Sequence, residues 1–268
     1  NGAVGDTQKE ILEGLEFRSG KVDDINSLCH QLMMESPKLD KSTKVSMANA
    51  VVANKNKPLQ PDFKNVVEKQ YQALVTNQDF SSPATLSFIN LWASELTHGM
   101  VPKLLDRVHP DAVTYLLNAL YFKGIWYHKF DKKRTQEESF TQADGKKLTV
   151  KMMHQKERFF AAENENYQTV VLPYGNGSYE MVVLLPREGK DLSSLLQTMD
   201  AKKWKDNLKS THSSEVDLKL PRFTSAYTRE LNDVLKLLGM NTMFERGKAD
   251  LTKMSVAKAF VSMVLQKA

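Results

Sequence analysis

The chain has 268 residues, 41% apolar and 26% charged, with a net charge of +5. That is enough apolar material for one large or two ordinary folded domains, and it excludes a disordered chain. No stretch approaches the roughly 20 apolar residues of a membrane helix, and the lone Cys29 excludes an internal disulfide and a cysteine-built metal site.

From the start of the chain, Thr7-Gln8-Lys9-Glu10 reads as a capping box. A threonine hydroxyl and a glutamate three residues on each satisfy a free backbone amide, which predicts a short helix with Ile11, Leu12 and Leu15 on its apolar stripe. Asp23 to Met34 predicts a second amphipathic helix. Cys29 falls on its apolar side with Val22, Ile25, Leu28 and Leu32, so it reads as a buried small hydrophobe rather than a reactive thiol. Lys44 to Ala53 predicts a strand, and Pro58 and Pro61 mark a turn. Phe63, Val66, Val67, Tyr71 and Leu74 predict another helix, and a short strand follows within Ala73–Phe80. Ser82-Pro83 fits a helix start, with Leu86, Ile89, Trp92, Ala93 and Leu96 on one face and Gly99 at its end.

The run from Leu116 to Phe122 carries apolar residues on both alternating faces, broken only by Asn118. Two apolar faces predict a strand covered on both sides, in the middle of a sheet, with a buried asparagine amide that needs partners. Gly124 and Trp126 end the run with a bend and an amphipathic anchor. Further on, Val170–Tyr174 and Tyr179–Leu185 flank Gly175-Asn176-Gly177, a hairpin signal. Two short helices, near Leu192–Met199 and Ala201–Leu208, lead to Val216–Leu220, whose alternation predicts one wet face. Leu231, Val234, Leu235 and Leu238 predict a helix stopped by Gly239, and Ala259 to Gln266 predicts a final strand. With no repeat, linker or composition break, the pattern predicts one mixed α+β domain over residues 1–268.

Lysines gather near Lys129–Lys133, Lys146–Lys151 and Lys202–Lys209. Acidic residues interrupt these runs and no aromatic is interleaved at base-stacking spacing, so they read as solvated faces and no nucleic-acid partner is expected. The six histidines show no metal-ligand spacing, and there is no G-x-S-x-G elbow. Gly175-Asn176-Gly177 has Glu180 where a dinucleotide loop needs a glycine. No enzyme activity, metal or cofactor is therefore expected. Asn176-Gly177-Ser178 also spells a glycosylation sequon.

Taken in order, several segments resemble the serpins. The stretch Asn118-Ala119-Leu120-Tyr121-Phe122-Lys123-Gly124, continued by Trp126, Phe130 and Thr135, is similar to the third strand of their main sheet. Asn1-Gly2-Ala3 with Asp6-Thr7 and Glu10-Ile11-Leu12 resembles the run after their buried N-terminal helix. Ile89-Asn90-Leu91-Trp92 with Thr97 and Gly99 is similar to the helix that packs across the main sheet. Met152-Met153, Leu172-Pro173-Tyr174, Leu185-Pro186, Leu220-Pro221-Arg222-Phe223, Leu238-Gly239-Met240 and the strand Ala259–Ala268 continue the match.

The resemblance implies an α+β fold with helices packed around a large mixed main sheet and smaller β-sheets. It implies that residues 1–268 are incomplete at both ends, so that N-terminal helices, hinge, reactive loop and C-terminal strands of the same protein are partners still to come. It implies a suicide inhibitor of serine, or cysteine, proteases. The reactive loop, cleaved by the protease, inserts into the main sheet as a new strand and carries the acylated protease with it. A non-inhibitory carrier or chaperone, or a polyanion-binding module, are the alternatives. By the same resemblance, Asn118 and Gln266 form the shutter that must part. Trp126 and Arg222 form the breach where insertion begins, and Asn90, Trp92 and Thr97 shape the helix over the sheet. An extracellular or periplasmic location is expected.

Overall fold

A computed structural model of the protein describes residues 1–17 and 21–267. Its elements run α1 (Gly5–Gly14), α2 (Val22–Glu35), β1 (Lys44–Asn54), α3 (Pro61–Tyr71), β2 (Leu74–Gln78), α4 (Pro83–Leu96) and β3 (Thr114–Lys123). Then come β4 (Gln136–Thr141), β5 (Lys147–Glu163), β6 (Tyr167–Tyr174), β7 (Tyr179–Pro186), α5 (Leu192–Thr198), α6 (Ala201–Ser210) and β8 (His212–Pro221). The last are β9 (Thr228–Glu230), α7 (Asn232–Leu237) and β10 (Leu265–Lys267). The α+β class expected from the sequence is the class observed.

The chain forms two compact units. The first comprises Asn1–Lys38, Val45–Phe122 and 225–268. Its sheet has the order β2-β1-β3, with β1 and β2 parallel, and β9 and β10 form an antiparallel pair. The core lies between this sheet and α4. Ala50 and Val52 of β1, Leu117 and Ala119 of β3, and Ile89, Trp92 and Ala93 of α4 pack together with Phe80 and Leu105. α4 starts where Ser82 Oγ accepts the Ala84 amide and Pro83 supplies a preset φ at N1. It ends where Gly99, at φ +80°, donates its N–H to the Ser94 carbonyl.

Two helix readings change. α1 is capped by Val4 without a side-chain bond. Thr7 and Glu10 face the protein instead: Thr7 Oγ1 accepts the Asp250 amide, and the Glu10 carboxylate accepts the Thr242 amide and hydroxyl. These long-range bonds win over the local capping box because Thr7 lies fully buried, where an unmet hydroxyl is costly. In α2, Leu28 and Leu32 are exposed, and the buried position is Asn26. Asn26 is matched by polar groups: it exchanges amide bonds with Asn1 and accepts the Tyr71 hydroxyl at 2.8 Å. Cys29 is half-buried rather than buried.

The second unit comprises Leu39–Lys44 and Lys123–Thr224. It is built on the five strands β4 to β8. β5 pairs β4 near its start, β8 over ten residue pairs from Met152↔Pro221 to Ala161↔His212, and β6 at its end. β6 and β7 form a hairpin of eight pairs. Phe159, Leu172, Leu218 and Leu220 make its core. The predicted wet face of β8 is present: Leu218 and Leu220 are buried, Asp217 and Lys219 exposed.

The β6–β7 turn is tied to residues 39–44. The buried Asp40 carboxylate accepts the Thr43 hydroxyl at 2.6 Å, the Ser42 amide and hydroxyl, and the Asn176 amide. The Thr43 hydroxyl foremost, with the other donors, holds the Asp40 carboxyl down at about 2, against an ordinary 3.8. Asn176 Nδ2 and Ser178 Oγ both donate to the Leu39 carbonyl. Gly175 sits at φ +47°, and a Cβ there would fall 1.7 Å from Asp40 Oδ2, so the turn admits only glycine.

Candidate functional site

β3 departs most from expectation. One face is packed as predicted, through Leu117 and Ala119. The other is open: Leu116 and Leu120 are each 62% exposed, and Asn118, between them, is exposed too. Among the described strands β3 stands at the edge of its sheet, with β1 as its neighbour, where a central position was expected. The alternation correctly marks both faces as apolar.

The predicted final strand is reduced to Leu265–Lys267, and Ala268 lies outside the described residues. Residues 261–264 spend their polar groups elsewhere. Val261 N–H bonds Met243 O, Val264 O accepts the Leu231 amide, and Asn232 bridges the Ser262 carbonyl and the Val264 amide. β10 then pairs with β9, placing Gln266 opposite Arg229. Among the described residues no hydrogen bond joins Gln266 to Asn118.

Asn118 meets a different partner. Its Nδ2 donates to Asn49 Oδ1 at 2.9 Å and to the Ala48 carbonyl at 3.4 Å. Asn49, on β1, in turn donates to the Tyr71 carbonyl at the end of α3 at 2.8 Å and touches Met33 Sδ of α2 at 3.5 Å. One half-buried amide thus joins β3, β1, α3 and α2. Asn49 was missed from the sequence, although it carries the signal that drew attention to Asn118: a lone amide inside an apolar strand, here between Met47 and Val51. Further along the β1–β3 pair, Thr114 Oγ1 donates to Val52 O, and the buried Asn54 donates to Pro110 O and Ala112 O.

The helix residues sit where they can hold α4 in place. Asn90 closes a loop: Nδ2 donates to Leu105 O at 2.9 Å, and Oδ1 accepts the Leu104 and Leu105 amides at 2.8 Å each. Trp92 is core. Buried Thr97 donates to Ala93 O and accepts the Val101 amide, so it fixes both the last turn of α4 and the exit from it.

In the second unit, Trp126 stacks on Tyr174 with centroids 4.3 Å apart and planes at 15°. Backbone bonds from Tyr127 N to Pro173 O and from Gly175 N to Ile125 O clamp this corner. Gly124 is required there, because a Cβ would meet the Tyr174 ring at 2.4 Å. Arg222 lies past the end of β8, exposed, with its amide on Lys151 O. Trp126 belongs to the β6 corner and Arg222 to the β5–β8 ladder, so the two meet different neighbours.

Solved structures share this architecture. The crystal structures of the thermophilic serpin tengpin, in its latent and native states, each match at a TM-score of 0.91 and 29% identity. They cover 99% of this chain and 73% and 69% of theirs. In sequence, Serpin B6 of Pongo abelii is 32% identical over 279 residues, covering 99% of this chain and 73% of its own length. Serpin-ZX of Arabidopsis thaliana is 31% identical over 94% of this chain and 67% of its own. Leukocyte elastase inhibitor A of Rattus norvegicus is 32% identical over 100% and 73%. The profile described as Serpin (serine protease inhibitor) matches residues 1–268, and the chain belongs to the serpin family. No helix among the described residues is long and apolar enough to cross a membrane.

Proposed function

We propose that the protein is a serpin-type suicide inhibitor of serine or cysteine proteases that takes a cleaved loop of the same polypeptide beside β3 as an added strand. The observation that carries this reading is the state of β3. It is a ten-residue strand bordered by β1 alone among the described strands, and an edge of that kind is a template for strand addition. Its hold on β1 includes side-chain amides, Asn118 to Asn49, that can part and re-form without disturbing the packed face. In this reading Asn118 and Asn49 work as the closure. Trp126 and Arg222 mark the entry, and Asn90, Trp92 and Thr97 keep α4 rigid over the sheet while it changes. The relative named leukocyte elastase inhibitor supports a protease as partner. An extracellular or periplasmic location belongs to the same proposal, and fractionation of the source cells checks it.

The test is incubation of the full-length protein with a panel of serine and cysteine proteases. A complex that survives denaturing electrophoresis, with matching loss of protease activity, is the expected result. Cleaved protein alone, with every protease still active, would refute the proposal and leave the carrier reading.

A further inference from the structure

The second unit holds a small cleft beside the short 3-10 turn Lys132–Arg134, the start of β4, and the ladder of β5 with β8. It encloses about 260 Å³ and is lined by Lys132, Thr135, Gln136, Glu137, Lys151 and Arg222. Sequence places these side chains in three separate runs. Strand register brings them together: Glu137 stands opposite Lys151, and the Arg222 amide bonds the Lys151 carbonyl at 2.9 Å.

The cleft gathers three cations on one concave surface. Some cations of the same unit are paired, as Lys219 with Glu138 at 2.9 Å, Lys156 with Glu215 at 2.8 Å, Lys146 with Asp144 at 2.7 Å and Arg187 with Glu163 at 2.7 Å. Among the described residues, none of Lys132, Lys151 and Arg222 makes an ion pair or a side-chain hydrogen bond. Three cations against the single Glu137 carboxylate leave an excess of two positive charges around a concave surface, which focuses the field on an anion. The Thr135 hydroxyl and the Gln136 amide add neutral donors.

We propose that this cleft binds a tetrahedral oxyanion, a phosphate or sulfate group. The Arg222 fork takes two oxygens, Lys132 and Lys151 balance the charge, and Thr135 and Gln136 complete the donor set. The excess of two charges matches a dianion better than chloride. At roughly 30 Å³ per water, the space admits such a group with part of its hydration shell. The inference does not depend on protease inhibition, and binding is read directly.

The full-length protein is titrated with inorganic phosphate and sulfate at constant ionic strength, balanced with sodium chloride, by calorimetry and thermal melting. The account predicts saturable binding that raises Tm while chloride does not. Lys151→Gln and Arg222→Gln each weaken it about tenfold, the scale of one charge-assisted hydrogen bond. Lys132→Gln, on an exposed turn, serves as a variant whose folding is not in question. Glu137→Gln, which removes the opposing charge, tightens binding. A sulfated disaccharide forms the second arm: tighter binding than inorganic sulfate assigns the site to a sulfated polysaccharide, and equal binding assigns it to a free anion. Absence of saturable binding by the wild type, or equal binding by wild type and all three cation variants, overturns the proposal.

Discussion

The hairpin β6–β7 and the strand β3 are both rich in apolar residues, yet their surroundings differ. β6 has partners on both sides: β7 over eight residue pairs and β5 at its start. Its Leu172 is almost wholly buried, and its turn is locked through Asp40, Asn176 and Gly175. Among the described strands β3 has one neighbour, β1; one of its faces is packed and one exposed, and part of its hold on β1 runs through side-chain amides. The difference bears on the proposed strand insertion, which needs an open edge beside an apolar face. A strand paired on both sides has no edge left to offer, whereas an edge strand with an apolar face can gain from a further partner.

The contrast can be broken by mutation. Leu172→Ala, in the locked region, should cost about 2–5 kcal/mol in denaturant unfolding, the range for emptying a buried leucine site. A loss under about 1 kcal/mol would show that the hairpin is not the rigid part. Gly175→Ala should cost about 1–3 kcal/mol, because it adds backbone strain at a positive φ. It should also push the Asp40 side chain from its place, seen as a rise in the Asp40 pKa by NMR titration.

Asn49→Ala should cost about 1–3 kcal/mol, since it strands the partners of a half-buried amide on three elements. Asn118→Ala, at an exposed position, should cost less, about 0.5–1.5 kcal/mol. A double-mutant cycle should show coupling between them, and simple additivity would remove the pair from the closure. The smallest effect concerns acid. Asp40 has a folded pKa of about 2, below its ordinary 3.8, so its contribution is present above about pH 4 and disappears as pH falls toward 2. Asp40→Asn should therefore have a flatter Tm-against-pH curve over that interval than the wild type. Parallel curves would exclude the carboxylate as the lock.

Most elements were legible because their signals are local. The helix opened by Ser82-Pro83, the Gly175-Asn176-Gly177 turn and the alternation of β8 need only neighbours within a few residues. The failures were tertiary. Thr7 and Glu10 chose partners more than 230 residues away over each other. The segment before Leu265 bonded Met243, Leu231 and Asn232 in place of a strand. Of the candidate site, Asn90, Trp92 and Thr97 were recognisable by motif, and they lie on α4 and its exit. Asn49 was missed because one polar residue in a mostly apolar strand counts as noise until its partners are known. The cleft was not legible, because the lysine runs holding Lys132 and Lys151 read as solvated faces and only the fold sets Arg222 beside Lys151.

The most direct measurement of the proposed insertion is hydrogen exchange on the protein before and after cleavage by a target protease. The account predicts that amides of β3, Thr114–Lys123, become markedly more protected after cleavage, while those of β6 and β7 stay as they were. Unchanged protection of β3, in a protein shown to be cleaved, would contradict the insertion of a strand beside it.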